Sequence, residues 1–261
     1  MGFTPFDLSG RTVLVTGGNA GIGLGMAEAV ASAGANVAIW GRRSEQNDAA
    51  VSKIDTLGDG TVKAWSVDVA DETAVIEAMA ETEADFGRID SCFANAGIGR
   101  PASSFSEMTT ETWRFNMSVN MEGAFWTMRE AVKSMIKRAE AGDPGGSIVG
   151  VASLAAIEGA GRNQAYAATK GGLISMLKGI AVEHARYGIR ANAILPGWIA
   201  TDMTAMAQDS DVFTQKVISR VPARRWGTPT DFGGVAVYLA SDASAYHSGD
   251  TFVIDGGYAI F

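Results

Sequence analysis

A short apolar run that leads directly into a glycine-rich turn decides the fold of this chain. The stretch reads Thr12-Val13-Leu14-Val15-Thr16-Gly17-Gly18-Asn19-Ala20-Gly21-Ile22-Gly23, and a helical pattern begins at once after it. β-Branched residues favour a strand, and glycines let the backbone turn sharply and bring the helix against that strand. The free N–H groups at the start of such a helix bind phosphate. The stretch therefore predicts a dinucleotide site, although an ordinary strand-to-helix turn would look similar.

Strands and helices alternate along the rest of the chain. Seven runs have the apolar, β-branched composition of strands: Thr12 to Thr16, Val37 to Trp40, Val62 to Trp65, Ser91 to Ala94, Ser147 to Val151, Ala191 to Leu195 and Thr251 to Ile254. Helical spacing covers Gly23 to Ala33, Glu72 to Phe86, Phe125 to Ala139, Ala167 to Tyr187 and Asp231 to Ala240. This order predicts an α/β fold, a Rossmann-type doubly wound parallel sheet with helices on both faces.

The chain shows no linker, charge block or internal repeat that would divide it. Residues 1–261 are therefore expected to form a single dinucleotide-binding and catalytic domain. The least regular segment runs from Trp198 to Trp226. Irregular segments of that length in compact domains are commonly functional, so this one is predicted to be a substrate lid.

Composition excludes several classes of function. The 261 residues are 47% hydrophobic and carry a formal charge of −8, which suits a globular protein and disfavours nucleic acid or an anionic membrane as partner. Cys92 is the single cysteine, so an intrachain disulfide and a cysteine-rich zinc site are both ruled out. No secretory signal or membrane-spanning run is visible, and the expected location is the cytoplasm.

Further motifs follow the glycine-rich turn in a characteristic order. They are Asn95-Ala96-Gly97, Ser118-Val119-Asn120, Ser153, Tyr166-Ala167-Ala168-Thr169-Lys170, Pro196-Gly197 and Asp255-Gly256-Gly257. With Thr-Gly-x3-Gly-x-Gly at the start, the sequence resembles the short-chain dehydrogenase/reductase family from about Leu8 to Gly257. The resemblance implies an enzyme that interconverts a ketone and a secondary alcohol by hydride exchange with a nicotinamide cofactor, and it requires no metal.

The resemblance also implies which residues contact the cofactor. They are Gly17, Asn19, Gly21, Ile22, Gly23, Arg42, Arg43, Asp68, Val69, Asn95, Ala96, Gly97, Tyr166, Lys170, Pro196, Gly197, Ile199 and Thr201. Asp68 is expected at the adenine, or alternatively as a cap for the helix that follows it.

The end of the second strand bears on the choice between NADP(H) and NAD(H). NAD enzymes carry an acid there for the ribose 2′-hydroxyl, whereas a basic residue accepts the 2′-phosphate of NADP. By family alignment Gly41 stands in the place of the acid and Arg42 follows it, so NADP(H) is the predicted cofactor. NAD(H) stays possible, because Arg42 and Arg43 also suit the start of a solvated helix. Ala20 also argues against NADP(H), because it stands where the family often has a second basic residue.

Four residues match the catalytic positions of the family: Asn120, Ser153, Tyr166 and Lys170. Tyr166 and Lys170 are four apart and would share one helix face. A phenol is a poor base near neutrality unless a cation stabilises its phenolate, and Lys170 can supply that charge. Ser153 would hold the substrate oxygen, or could cap a turn. Asn120 would help to hold a water in a proton relay, or could bend its helix.

Three segments are predicted to face the substrate: Leu154 to Arg162, Trp198 to Phe213 and Ile98 to Pro101. Their apolar residues predict a small to medium, partly apolar ketone or alcohol. These residues are Leu154, Ile157, Trp198, Met203, Met206 and Phe213. Arg100 and Arg162 could instead pair with a carboxylate.

The family resemblance implies a homotetramer or homodimer. An NAD-dependent alcohol or sugar dehydrogenase is the main alternative function. A non-catalytic dinucleotide sensor, and a dehydratase or epimerase on the same scaffold, are further alternatives.

Overall fold

All seven predicted strands form, and they pair into one parallel sheet. The computed structural model describes residues 4–261. The strands are β1 (Thr12–Thr16), β2 (Asn36–Gly41), β3 (Val62–Ser66), β4 (Ser91–Ala94), β5 (Gly146–Val151), β6 (Ile189–Pro196) and β7 (Thr251–Ile254). Their order in the sheet is β3-β2-β1-β4-β5-β6-β7. The order reverses between β1 and β4, which creates a crevice at the carboxyl ends of these two strands where ligands of such sheets bind.

The helices connect successive strands. They are α1 (Gly21–Ser32), α2 (Ser44–Ile54), α3 (Glu72–Phe86), α4 (Thr110–Met117), α5 (Ala124–Glu140), α6 (Gln164–Glu183), α7 (Ala205–Gln208), α8 (Asp211–Arg220) and α9 (Gly233–Ala240). The arginine pair at Arg42 does precede a helix, α2. Helix α6 begins three residues earlier than predicted, so Tyr166 lies in its first turn.

Two hydrophobic clusters cover the two faces of the sheet. Helices α3, α5 and α6 pack on one face through residues such as Met128, whereas α1, α2 and α9 pack on the other. Alternation along β1 divides its side chains between them, with Leu14 in the first cluster and Val13 and Val15 in the second. Burial on both faces explains why the strands read as continuous apolar runs, and it confirms the predicted doubly wound α/β fold.

Helices α4 and α5 are joined by a π-helical segment, Ser118–Gly123, which contains the buried Asn120. Segments of this kind are local insertions into a helix and often lie at functional sites. The regular α-helical hydrogen bonding is therefore interrupted at Asn120.

The predicted lid segment is more regular than expected, because it contains α7 and α8. Trp198 anchors its start, with ring centroids 5.2 Å from Phe213, 6.0 Å from Trp226 and 6.4 Å from Tyr258. Trp198, Phe213 and Tyr258 pack with Leu154, Val217 and Val221 in a third small cluster. The irregular sequence predicts a loop, but the segment contains helices and is held by aromatic packing around Trp198.

Within residues 4–261, none of the helices combines the length and apolar character needed to cross a membrane.

Candidate active site

The glycine-rich turn lies at the carboxyl end of β1, beside the crevice. Gly17 and Gly21 have φ angles of 64° and 52°, in the left-handed region that favours glycine. A Cβ atom at Gly21 would lie 3.2 Å from Thr201 Cγ2, so the start of the lid reaches the start of α1. The N-cap residue of α1 is Ala20, whose methyl side chain cannot accept hydrogen bonds from the first turn. The donors of this turn fit the pyrophosphate of a dinucleotide.

Asn95 and Thr16 tie the turn to the end of β4. The Asn95 amide donates to the Thr16 carbonyl over 2.9 Å and to the Gly17 carbonyl over 3.3 Å. The Thr16 hydroxyl in turn accepts from the backbone N–H groups of Asn95 and Ala96, each at 3.0 Å. The side chain of Asn95 therefore holds the two strand ends together. Thr16 is a site residue that the sequence reasoning quoted in the fingerprint but did not assign.

The end of β2 is shaped by two asparagines. Asn19 donates to the Asn47 Oδ1 over 2.7 Å, and Asn47 Nδ2 donates to the carbonyls of Gly41 and Trp65 over 2.9 and 3.1 Å. Asn47 is only 3% exposed. The sequence carries no signal for Asn47, because it belongs to no motif and lies in α2, a helix outside the predicted helical segments.

Arg42 extends from this corner with an exposed side chain. Its Nη1 lies 3.9 Å from Asp68 Oδ2, so the structure brings together two residues predicted at the adenosine. The alternative role for Asp68 as helix cap belongs instead to Asp71, which accepts from the backbone N–H groups of Thr73 and Ala74 at the start of α3.

Tyr166 and Lys170 share one face of α6, as their spacing predicts. Lys170 is 3% exposed, its Nζ donates to the Val151 carbonyl over 2.7 Å, and it lies 5.5 Å from the centre of the Tyr166 ring. Burial lowers the pKa of Lys170 to about 8. Burial also raises the pKa of Tyr166 above its ordinary value, and the Ser153 side chain partly offsets that rise.

Ser153 follows β5 and makes one of the two contacts predicted for it, the cap of a turn. It is the N-cap of a short 3₁₀ turn, Leu154–Ala156, and accepts from the Ala155 N–H over 3.2 Å. It also interacts with the Tyr166 phenol. The capping interpretation and the substrate-binding interpretation are therefore compatible.

The Asn120 side chain holds the loop after β4. It accepts from the Ile98 N–H over 2.8 Å and donates to the Ile98 carbonyl over 2.9 Å. A Cβ atom at Gly97 would lie 3.3 Å from both Asn120 Oδ1 and Lys170 Nζ. Asn120, Gly97 and Lys170 are thus close neighbours, although the amide is engaged with backbone rather than with lysine.

Three further predicted cofactor residues follow the carboxyl ends of β3 and β6. Gly197, after β6, donates its N–H to the Ile254 carbonyl over 3.0 Å. Ile199 is buried and bridges to Gly227. Val69 is buried beside the π-helical segment, where its carbonyl packs against Gly123.

The predicted apolar wall divides into two groups. Leu154, which precedes the lid, packs with Trp198 and Phe213 of the lid. Ile157, Met203 and Met206 are exposed.

The two candidate arginines differ in their surroundings. Arg100 lies 5.1 Å from the Phe115 ring and 3.6 Å from a Glu111 oxygen, so it is directed towards α4. Arg162 is exposed, has a φ of 66°, and its carbonyl accepts from the Ala102 N–H over 2.8 Å. The end of the predicted segment Leu154 to Arg162 therefore contacts the residue that follows Ile98 to Pro101.

A glycine-rich turn at the strand-order reversal of a parallel sheet defines a Rossmann-type fold, the class in which many proteins bind dinucleotides. Comparison with known proteins narrows this class. A family model described as enoyl-(acyl carrier protein) reductase matches residues 17–259. The chain is 36% identical over 257 residues to the gluconate 5-dehydrogenase of Gluconobacter oxydans, which covers 98% of this chain and 97% of the relative.

Solved structures agree with this result. A short-chain type dehydrogenase/reductase from Mycobacterium marinum matches with a TM-score of 0.91 at 31% identity, covering 98% of each chain. The NADPH-dependent 3-quinuclidinone reductase from Rhodotorula rubra matches with a TM-score of 0.90 at 28% identity, covering 99% of this chain and 95% of that one. The chain belongs to the short-chain dehydrogenase/reductase family and is an oxidoreductase, which confirms the predicted family and enzyme class.

Proposed function

We propose that this protein is an NADP(H)-dependent oxidoreductase that interconverts a ketone and a secondary alcohol on a small to medium, partly apolar substrate. The observation that carries the proposal is the meeting of Ser153, Tyr166 and Lys170 at the carboxyl end of β5. That end of the sheet also carries the glycine-rich turn, so a bound dinucleotide and these side chains would share one crevice.

Each residue has a distinct role in the proposed reaction. Nicotinamide, when bound, supplies or accepts the hydride. Tyr166 donates a proton to the substrate oxygen during reduction and removes it during oxidation. Ser153 holds that oxygen by a hydrogen bond, and protonated Lys170 favours the phenolate form of Tyr166. Asn120 fixes Ile98 and the loop that borders the site, and it contributes to the proton relay.

Replacing Tyr166 with phenylalanine tests this assignment. The change removes the proton donor and leaves the ring that packs in the site, so turnover should fall by at least about a hundredfold, as for loss of a general acid. Affinity for NADPH should change little. Tyr187 lies just after the end of α6, away from Ser153 and Lys170 in the sequence. Tyr187→Phe is therefore the matched control and should retain activity. Substantial turnover by Tyr166→Phe would exclude the proposed role.

The cofactor preference rests on Arg42. Its exposed guanidinium follows Gly41, the position of the acid in NAD enzymes, and can bind a 2′-phosphate. The Rhodotorula rubra relative is an NADPH-dependent reductase. Arg42→Asp should weaken NADPH binding far more than NADH binding, and equal losses in two calorimetric titrations would defeat the preference.

A second candidate is an NAD-dependent alcohol or sugar dehydrogenase. The observation in its favour is the Asp68 carboxylate, which lies 3.9 Å from Arg42 and offsets part of its charge. The Gluconobacter oxydans relative, named for gluconate, supports a polyol-type substrate. Tighter binding of NADH than of NADPH, with oxidation of polyhydroxy acids rather than reduction of ketones, would establish this candidate.

The predicted homotetramer or homodimer and the cytoplasmic location are part of the same proposal. Light scattering on the purified protein distinguishes a dimer, a tetramer and a monomer directly.

A further inference from the structure

The amide of Asn47 connects three segments at the end of the sheet that would hold the adenosine ribose. Its Oδ1 accepts from Asn19 of the glycine-rich turn, and its Nδ2 donates to the carbonyls at the ends of β2 and β3. A buried amide with three good partners is costly to remove, because each partner would lose its hydrogen bond. Asn47 is therefore the point at which the turn, Gly41 and Trp65 are held in register.

The same arrangement closes the space above Gly41. A Cβ atom at this position would lie 2.5 Å from Asn47 Oδ1, and it would also collide with Asn19 Nδ2. Real Cβ atoms do not approach other atoms so closely, so any side chain here must displace the two amides. Position 41 is where NAD enzymes place their acid. The two asparagines thus occupy the space that such an acid would need.

The backbone that carries Arg42 is held at the same place. The Gly41 carbonyl accepts from Asn47 and also from the Val67 N–H over 3.2 Å, and the Arg42 carbonyl accepts from the Ser66 hydroxyl over 3.3 Å. Loss of Asn47 would free this corner and Asn19, while leaving the Tyr166 end of the crevice untouched.

We propose that Asn47 is a positioning residue for cofactor selectivity. Through Asn19 and the Gly41–Arg42 corner, it maintains an arrangement that admits a 2′-phosphate and excludes an acidic side chain at position 41. The proposal rests on the proposed NADP(H) preference. Beyond that preference, selectivity for NADP(H) depends on the buried amide of Asn47, which would not contact the 2′-phosphate itself.

Calorimetric titrations of NADPH and of NADH test this proposal. Asn47→Ala should weaken NADPH binding by about tenfold or more, the effect of losing one or two net hydrogen bonds, and NADH binding by less than about threefold. The ratio of the two dissociation constants should therefore fall. Loss of both affinities in equal proportion would overturn the proposal, because general loosening of the fold affects both cofactors alike.

Asn192 provides a matched control. It is fully buried, its Nδ2 donates to the His247 carbonyl over 2.9 Å, and its Oδ1 accepts from the Asp250 N–H over 3.0 Å. Asn192→Ala should lower the melting temperature about as much as Asn47→Ala does and leave the ratio unchanged. A ratio that moves equally in both variants would show that Asn47 acts only through stability.

Asn19→Ala replaces Asn47→Ala in the titrations if Asn47→Ala does not fold. It removes the same hydrogen bond between the two asparagines, and Asn19 is only half-buried, so this variant should fold. Where Asn47→Ala does fold, the double variant should be no worse than Asn47→Ala in its ratio, since one pair is removed once. If the effects of the two substitutions on the ratio of dissociation constants are fully additive, Asn19 and Asn47 do not act as a pair and the proposal is overturned.

The exclusion of an acid is tested separately. Gly41→Asp alone should not improve NADH binding, whereas Gly41→Asp together with Asn47→Ala should bind NADH more tightly than the single variant. Improved NADH binding by Gly41→Asp alone would refute the exclusion. If the wild-type protein prefers NADH, the proposed NADP(H) function fails by itself, whatever the variants show.

Discussion

Replacing Lys170 with methionine should make the protein more stable at neutral pH while abolishing its activity. Burial lowers the pKa of Lys170 from 10.5 to about 8, so the folded state keeps a charged ammonium at a cost. At about 1.36 kcal/mol for each pKa unit, the full cost is roughly 3 kcal/mol. Methionine has a similar length and carries no charge, but it leaves the Val151 carbonyl without its 2.7 Å hydrogen bond, which offsets about 1 kcal/mol. The expected net gain is about 2 kcal/mol near pH 7.

The stability difference between Lys170→Met and the wild type should depend on pH. Because the folded pKa is lower than the unfolded one, the unfolded chain binds more protons between about pH 8 and 10.5, and wild-type stability rises with pH in that window. Below about pH 8 the full cost is present. The advantage of the methionine variant should therefore shrink by about 2 kcal/mol between about pH 7 and pH 9.5.

Urea unfolding at matched protein concentration, at both pH values, measures these differences. Lys178, an exposed lysine on the same helix, is the control, and Lys178→Met should change stability little at either pH. A Lys170→Met variant that is less stable than wild type at both pH values, or a difference that does not change with pH, would refute the reasoning.

Two further properties follow from burial in the sheet. Phe93 is fully buried at the centre of β4, and Phe93→Ala should lower the free energy of unfolding by about 3–5 kcal/mol through the cavity it leaves, as measured by denaturant titration; a loss below about 1 kcal/mol would contradict the packing. Cys92 is buried beside it, and burial raises the pKa of its thiol to about 12. Iodoacetamide at mildly alkaline pH should therefore label Cys92 only in the unfolded protein, and rapid labelling of the native protein would show that this strand is open to solvent.

Much of the fold could be predicted because its signals are local. The seven strands read as apolar runs whichever neighbours they pair with, since both faces of a parallel sheet are covered. The glycine-rich turn needs left-handed backbone at Gly17 and Gly21, which glycine provides wherever the turn lies. The spacing of Tyr166 and Lys170 places them on one helix face by helical geometry alone.

Other features depend on contacts between distant segments. The sequence allowed Asp68 to cap the helix that follows it, and only the backbone path shows that Asp71 caps α3 instead. The sequence of the lid does not show a periodicity that would predict α8. The order of this segment comes from the aromatic packing around Trp198. Val151 contributes a carbonyl to Lys170, and a backbone group has no signature in the sequence.

Local sequence specifies the order of strands and helices along the chain, the turn that suits a pyrophosphate, and the residue types available for catalysis, because each depends on short-range backbone geometry and composition. Tertiary structure alone decided that Asn47 holds Asn19 above Gly41 and that burial sets the pKa of Lys170. Hydrogen bonding across 28 positions and removal from water arise only when separate segments pack together.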